Sequence, residues 1–169
     1  MPDDYNFSHV VILIIPVLFI IGSYLALKKE DQDSKNFFIT FIAFAGFIQY
    51  FAMPRYGLGG LPLHLCNMAI ILMMASAIFK WKGFFYFNYF ANVLGALAAL
   101  LIPDITDDLF NMGEMRYAFN HWYAFAWPIL AVALGTFRRP QLKDMYKALG
   151  VFSVYYLIIV FLNAWFNTI

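Results

Sequence analysis

The sequence predicts an all-α membrane protein, a polytopic bundle of about six transmembrane helices with both termini outside. The first observation is composition, because 63% of the 169 residues are hydrophobic and only 12% are charged, whereas a soluble domain is about 25% charged. The second is that the apolar residues form six runs, each long enough to cross a hydrocarbon core of about 30 Å as a helix. The third is that nearly all basic residues fall in three of the connections between these runs.

The first three helices are predicted over Val10–Leu27, Phe37–Met53 and Pro62–Phe79. The first of them follows Met1-Pro2-Asp3-Asp4, an acidic start without the positive region of a secretory signal, so we expect the helix to be retained. The third begins with Pro62 in its first turn, where the missing N–H costs nothing.

The last three helices are predicted over Phe84–Ile102, Tyr117–Phe137 and Met145–Phe166. Gly95 and Ala96 belong to a small-residue side of the fourth helix, which indicates close packing against a neighbour. No connection is long enough for a soluble domain. The chain is therefore predicted to be a single transmembrane helical domain over residues 1–169.

The distribution of Lys and Arg predicts the orientation of the bundle, because basic loops stay in the cytoplasm. Of the eleven basic residues, nine lie in or directly beside the connections after the first, third and fifth helices, and the other two are Arg55 and Arg116. Both termini are therefore expected outside. Net charge is only +1, so no nucleic-acid partner is predicted.

With this orientation, the polar side chains of the apolar runs concentrate in the outer half of the bundle. Polar groups at membrane depth are costly and are functional candidates by default. None of the runs has Asp, Glu, Lys or Arg in its middle, which argues against a proton relay or an ion-coupled transporter. The candidate binding residues are His64, Asn67, Asn92 (mid-membrane), Gln49, Arg55, Asp104 and Asn163.

Two further candidates are Cys66, the only cysteine, and His121, which opens the fifth helix. On a regular helix His64 and Cys66 point about 200° apart, so a base for Cys66 is better supplied by His121 from another helix. The same divergence argues against a zinc site built from His64, Cys66, His121 and Asp104, and no metal or cofactor is predicted. The alternatives are a cysteine that is only a small buried hydrophobe, histidines that only join helices and an Arg55 that only snorkels.

Three ordered motifs resemble the YwaF-like family of bacterial integral membrane proteins. They are Leu61-Pro62-Leu63-His64-Leu65-Cys66-Asn67, the run from Asn92 through Gly95-Ala96-Leu97 to Pro103-Asp104, and a helix opened by His121. The family has Asp where this chain has Asn67, and Gly where it has Trp122. It is distantly similar to multi-pass membrane acyltransferases and to androgen-induced hydrolases of fatty-acid esters. The resemblance implies Cys66 as a nucleophile, His121 as its base and the bacterial plasma membrane as the location.

The sequence therefore predicts an intramembrane acyl hydrolase or acyltransferase that acts on lipid esters from a polar pocket in the outer leaflet. Asn67, Asn92 or Asn163 would stabilise the oxyanion. The alternative is a non-enzymatic membrane subunit: a protein for small-solute permeation or binding, or a transporter partner. The expected partners are membrane lipids and either another membrane protein or a second copy of the chain.

Overall fold

The computed structural model describes residues 7–52, 65–102 and 111–166, and all of its regular structure in these ranges is helical. The prediction of an all-α bundle of six helices is confirmed. The helices are α1 (Phe7–Leu27), α2 (Gln32–Ala52), α3 (Leu65–Phe79), α4 (Lys82–Leu101), α5 (Met112–Ala133) and α6 (Leu142–Phe166).

Four of the helices, α1, α2, α4 and α6, are long and apolar enough to cross a membrane. The described part of α3 is equally apolar but has 15 residues, which corresponds to about 22 Å. Apolar side chains cover most of the exposed surface of α1 and α6, and only 6% of the α6 span is buried. In a membrane protein this surface is the one that faces lipid.

Side chains and backbone at the helix ends explain where α2 and α5 begin and end. The Asp31 carboxylate accepts hydrogen bonds from the Ser34 backbone N–H (2.9 Å) and hydroxyl (2.8 Å), and the backbone bond above all holds the pKa of this carboxyl below its usual value. Asn111 caps α5 by accepting from the Gly113 N–H at 2.9 Å. Gly135, with a φ of +79°, ends α5 because glycine adopts this conformation without steric cost.

These caps shift two helices relative to the sequence prediction. Helix α2 begins at Gln32 rather than Phe37, and α5 covers Met112–Ala133 rather than Tyr117–Phe137. In both cases polar residues that precede the apolar run belong to the helix, because a capping side chain satisfies the first backbone N–H groups.

The core lies between α2, α3, α4 and α5 and includes Trp127, which is fully buried. Its indole N–H donates to the Ile39 carbonyl oxygen on α2 at 2.9 Å. Next to it, the rings of Phe85 and Phe137 stack with centroids 4.0 Å apart. Gly46 of α2 lies against the Tyr123 ring, only 3.3 Å from the position that a Cβ would take. The interior of the bundle is therefore packed by side chains rather than open as a channel along this core.

The orientation of the bundle is a testable prediction. We expect a cysteine at position 33 to be protected from a membrane-impermeant maleimide added outside, because it lies at the basic end of the bundle. A cysteine at position 112, at the opposite end, is the matched reporter and should react. Asp33 and Met112 are both exposed, so each substitution is structurally mild; both are made in a Cys66→Ser background. Labelling at 33 but not at 112 would reverse the orientation.

Candidate functional site

Cys66 lies in the first turn of α3 and is half-buried. On this helix, Cys66 shares a face with Ala69, Ile70 and Met73, since each lies within about 60° of it at 100° per residue. These three residues are fully buried. The thiol is therefore on the side of α3 that faces the bundle interior rather than the lipid.

His121 is buried in the first half of α5, with 6% of its surface exposed. Its Nδ1 lies 2.7 Å from the Tyr117 carbonyl oxygen, which can only accept, so Nδ1 carries the proton. The Tyr117 ring packs on the imidazole at 4.2 Å, and the Tyr117 hydroxyl donates to the Ala99 carbonyl at 2.8 Å. This arrangement fixes the tautomer of His121 and leaves the lone pair on Nε2 for proton transfer.

A cluster of three alanines shows how Cys66 and His121 are related. Ala69 of α3, Ala96 of α4 and Ala124 of α5 are buried together in one apolar cluster; we call it the alanine layer. Helices α3 and α5 run in the same direction, because each is antiparallel to α4. Ala69 follows Cys66 by three residues, and Ala124 follows His121 by three residues. The thiol and the imidazole therefore lie at the same level, about 4.5 Å beyond the alanine layer.

Among the described residues, Cys66 and His121 are not joined by a hydrogen bond. A proton transfer between them would need a direct or single-water contact, and such contacts are often long in the absence of a substrate. Neither group has an electrostatic interaction with the other in the structure, so a nucleophile–base pair of Cys66 and His121 requires the two side chains to move closer together.

A tyrosine that the sequence analysis did not single out also belongs to this region. Tyr155 of α6 is half-buried and lies within electrostatic range of the Cys66 thiol. It is on the same stripe of α6 as Asp144, Ala148 and Val151, which are three or four residues apart. That spacing is visible in the sequence, but nothing in the sequence indicates which helix α6 packs against.

Further polar side chains reach the level of His121 from α2 and α5. Asn120 is buried, and its Oδ1 has no hydrogen-bond partner among the described residues. The contact of Gly46 with Tyr123 fixes the register of α2 against α5. The two helices are antiparallel. Gln49 and Tyr50, three and four residues after Gly46, therefore lie at the level of Asn120, three residues before Tyr123. Tyr50 is buried and Gln49 half-buried.

Asn92 lies elsewhere. It is buried on the other side of the alanine layer, four residues before Ala96 on an antiparallel helix, and hence about 10 Å along the bundle from the level of Cys66 and His121. Its amide N–H₂ donates to the Asn88 side-chain oxygen, and Asn88 is fully buried. The structure therefore groups Asn92 with Asn88 rather than with the cysteine and histidine.

Of the remaining candidate residues, the structure describes only some. Asn67 is half-buried in the same turn as Cys66. His64, Arg55 and Asp104 lie outside the described residues, as does the side chain of Asn163. In the described part of the chain, no three His, Cys, Asp or Glu side chains are grouped so that they could hold a metal ion.

His9 and Trp122 fix α1 to this part of the bundle. His9 Nε2 donates to the Leu100 carbonyl oxygen at 2.9 Å, and the Trp122 indole N–H donates to the Ile12 carbonyl oxygen at 2.7 Å. A small apolar cavity of about 180 Å³ lies between α1 and α5. His9 therefore joins α1 to the end of α4, and Trp122 joins α1 to α5.

Comparison with known proteins gives a family. No curated protein and no solved structure matches the chain. The similarity to YwaF-like proteins, to acyltransferases and to ester hydrolases stays a prediction from the sequence motifs. A sequence profile described as the TMEM164 family matches residues 4–168. The match covers almost all of the chain, which therefore belongs to the TMEM164 family of membrane proteins.

Proposed function

We propose that this membrane protein is an acyl hydrolase or acyltransferase for lipid esters, with Cys66 as the nucleophile and His121 as the general base. The observation that carries the proposal is the alanine layer, because Cys66 and His121 each precede one of its alanines by three residues on helices that run in the same direction. The Tyr117 carbonyl supports it, because the hydrogen bond to Nδ1 leaves Nε2 free to accept a proton. The resemblance to YwaF-like proteins adds the bacterial plasma membrane as the expected location.

The reaction would proceed in two steps. In the first, His121 Nε2 takes the thiol proton while Cys66 Sγ attacks the acyl carbonyl carbon, and the proton then passes to the departing alcohol oxygen. The product is a thioester on Cys66. In the second, His121 deprotonates water or an acceptor alcohol, which attacks the thioester, and the imidazolium returns the proton to the sulfur. Water gives hydrolysis and an alcohol gives acyl transfer.

The oxyanion of the tetrahedral intermediate needs hydrogen-bond donors at the level of Cys66. Asn67 is in the same turn, Asn120 precedes His121 in the chain, and Tyr155 lies within electrostatic range of the thiol. Each donor in such a site is worth about 2.7–4 kcal/mol in known enzymes. The position of Asn92 beyond the alanine layer makes these three side chains better candidates for the donor than Asn92.

The direct test is turnover. Purified protein in neutral detergent is incubated with phospholipids that carry a labelled acyl chain, with and without a lysophospholipid acceptor. We expect release or transfer of the label, reduced on the order of 10³-fold or more in Cys66→Ala, because removal of a nucleophile leaves only binding and oxyanion contributions. The matched control is Ser153→Ala, a small exposed residue of α6. Equal turnover in wild type and Cys66→Ala would refute the assignment of Cys66.

A specific observation supports the second candidate function, a non-enzymatic membrane subunit. Much of α1 and α6 is exposed and apolar, and both helices could contact another membrane protein. Absence of hydrolysis and of transfer by folded wild-type protein, across the common glycerolipid classes, would favour this function over the enzymatic one.

A further inference from the structure

A groove between helices runs from the basic end of the bundle toward the level of Cys66, where Met68 and Tyr155 line it. It lies between α3, α4 and α6, has a volume of about 690 Å³, and is lined by apolar side chains for most of its length. Leu72 of α3, Phe87 of α4 and Val151 of α6 form its walls. A Cβ added to Gly150 would meet nothing within 4 Å. The α6 wall of the groove therefore has room for a side chain at position 150.

One end of this groove is basic. Lys147 lines it, Lys143 lies one turn earlier on the same face of α6, and Lys82 precedes Gly83 at its other wall. All three lysines are exposed. None of them forms an ion pair with another described residue. The groove thus joins a long apolar wall to three lysine side chains that form no salt bridge with a described residue.

The single carboxylate in the groove is already neutralised. Both carboxylate oxygens of Asp144 accept from one terminal nitrogen of Arg138, Nη2, Oδ1 at 3.1 Å and Oδ2 at 2.8 Å. Asp144 also accepts from the Gln141 backbone N–H at 2.9 Å. Arg138 in turn lies over the Tyr86 ring, 4.8 Å from its centroid. Asp144 also interacts electrostatically with Lys143 without forming a salt bridge to it, and one carboxylate leaves the four basic side chains Lys82, Arg138, Lys143 and Lys147 with a net positive charge.

An additional donor lies at the same end. Tyr86 lines the groove, only 6% of it is exposed, and its hydroxyl has no hydrogen-bond partner among the described residues. Buried hydroxyl groups in proteins nearly always have a partner. A ligand oxygen that reaches this end of the groove would supply one.

We propose that the groove binds an anionic glycerophospholipid, with the phosphate among Lys82, Lys143 and Lys147 and one acyl chain along Leu72 and Val151. Basic pockets between transmembrane helices are known to select anionic head groups. A zwitterionic lipid matches the apolar wall but not the charge. A second copy of the chain, docked symmetrically through this face, would bring the two basic groups together, which is unfavourable.

The test is binding of phosphatidylglycerol to the full-length protein in neutral detergent, measured by displacement of a dansyl-labelled phosphatidylglycerol. Lys143→Gln together with Lys147→Gln is expected to weaken binding about 30-fold, because each basic side chain near an anionic head group contributes about fivefold. Lys28→Gln with Lys29→Gln removes the same charge from exposed positions outside the groove, and should leave binding within about twofold.

A second pair of variants tests the acyl part. Gly150→Leu fills the groove and is expected to weaken binding on the order of tenfold. Gly22→Leu adds the same side chain to α1, where a new Cβ also meets open space, and should have no effect. Glycerol 3-phosphate, which has the head group without the chains, should not displace the labelled lipid at concentrations at which phosphatidylglycerol does.

Four results would overturn the proposal. The first is equal binding of phosphatidylcholine and phosphatidylglycerol, and the second is equal weakening by the two lysine pairs. The third is loss of phosphatidylglycerol binding in Cys66→Ala, which would place the main contacts of the lipid at the cysteine instead of among the lysines. The fourth is a dimer that Gly150→Leu dissociates and that added phosphatidylglycerol does not affect. That result would identify a second copy of the chain as the occupant of the groove.

Discussion

Replacement of His121 by alanine is expected to reduce labelling of Cys66 by a thiol-reactive lipid analogue about 100-fold or more in native membranes at pH 7. A positioned general base contributes about 10²–10⁴-fold to such reactions. His121 has the required features: it is buried, its Nδ1–H is held by the Tyr117 carbonyl, and it lies at the level of the thiol. The measurement is the initial rate of labelling, followed by mass spectrometry of the peptide that contains Cys66.

The matched control is His9→Ala. His9 is also buried and also donates to a backbone carbonyl, that of Leu100. Its removal therefore costs the bundle a comparable polar contact but leaves the pair of Cys66 and His121 intact. Labelling in this variant is expected to stay within a few-fold of the wild type. Labelling of all three proteins after denaturation in detergent measures the total thiol and corrects for expression.

Chemical rescue separates a base from a structural residue. In His121→Ala, free imidazole can occupy the space of the missing ring and accept the thiol proton, so the rate of labelling should rise with imidazole concentration. A purely structural loss would not respond in this way. Equal labelling rates in folded wild type and His121→Ala would show that His121 does not activate Cys66, and would favour the membrane-subunit function.

The sequence was sufficient for the helices because hydropathy over about twenty residues is a strong signal in a membrane protein. It was less reliable at helix starts, where polar capping residues determine the first residue of the helix. Helix α5 begins five residues earlier than predicted, since Asn111 satisfies the Gly113 N–H and lets the less apolar segment that follows join the helix. Hydropathy alone places the start of a helix at its first apolar residue.

The candidate site could be predicted in its residue types but not in its arrangement. The face of Cys66 on α3 follows from helical geometry. The level of His121 relative to Cys66 follows from the contact among Ala69, Ala96 and Ala124. Small residues favour close approach of helices, but the sequence does not indicate which of them are in contact. Tyr155 was missed for a related reason, because the packing of α6 against α4 has no signal in the sequence of α6 alone.

Asn92 is a different case, because its partner is on its own helix. Its position in an apolar helix marks it as a polar group with a function or a partner, and the sequence analysis assigned it to the binding site. In the structure its partner is Asn88, one turn away on the same helix. This spacing of four residues on one helix face could have been used to predict the pair.

The second large effect concerns stability and the α2–α5 contact. Replacement of Trp127 by alanine is expected to lower the free energy of unfolding by about 3–5 kcal/mol, the usual cost of truncating a fully buried large aromatic side chain. Trp127 is fully buried, its ring lies 5.8 Å from that of Phe85, and its N–H donates to the Ile39 carbonyl on α2. The measurement is equilibrium unfolding in mixed micelles with increasing sodium dodecyl sulfate, followed by circular dichroism.

Two further variants show which part of Trp127 matters. Trp165→Ala removes the same side chain from an exposed position of α6 and should change stability by less than about 0.5 kcal/mol. Trp127→Phe keeps an aromatic ring in the core but loses the N–H donor, so an intermediate loss is expected, with about 1 kcal/mol of it from the hydrogen bond. Equal stability of Trp127→Ala and Trp165→Ala would contradict the packing of α5 against α2 described above.

Because Trp127 is six residues beyond His121 on the same helix, a folded Trp127→Phe protein should keep the level of His121 relative to Cys66. The rate at which Cys66 is labelled in this variant should therefore remain close to that of the wild type.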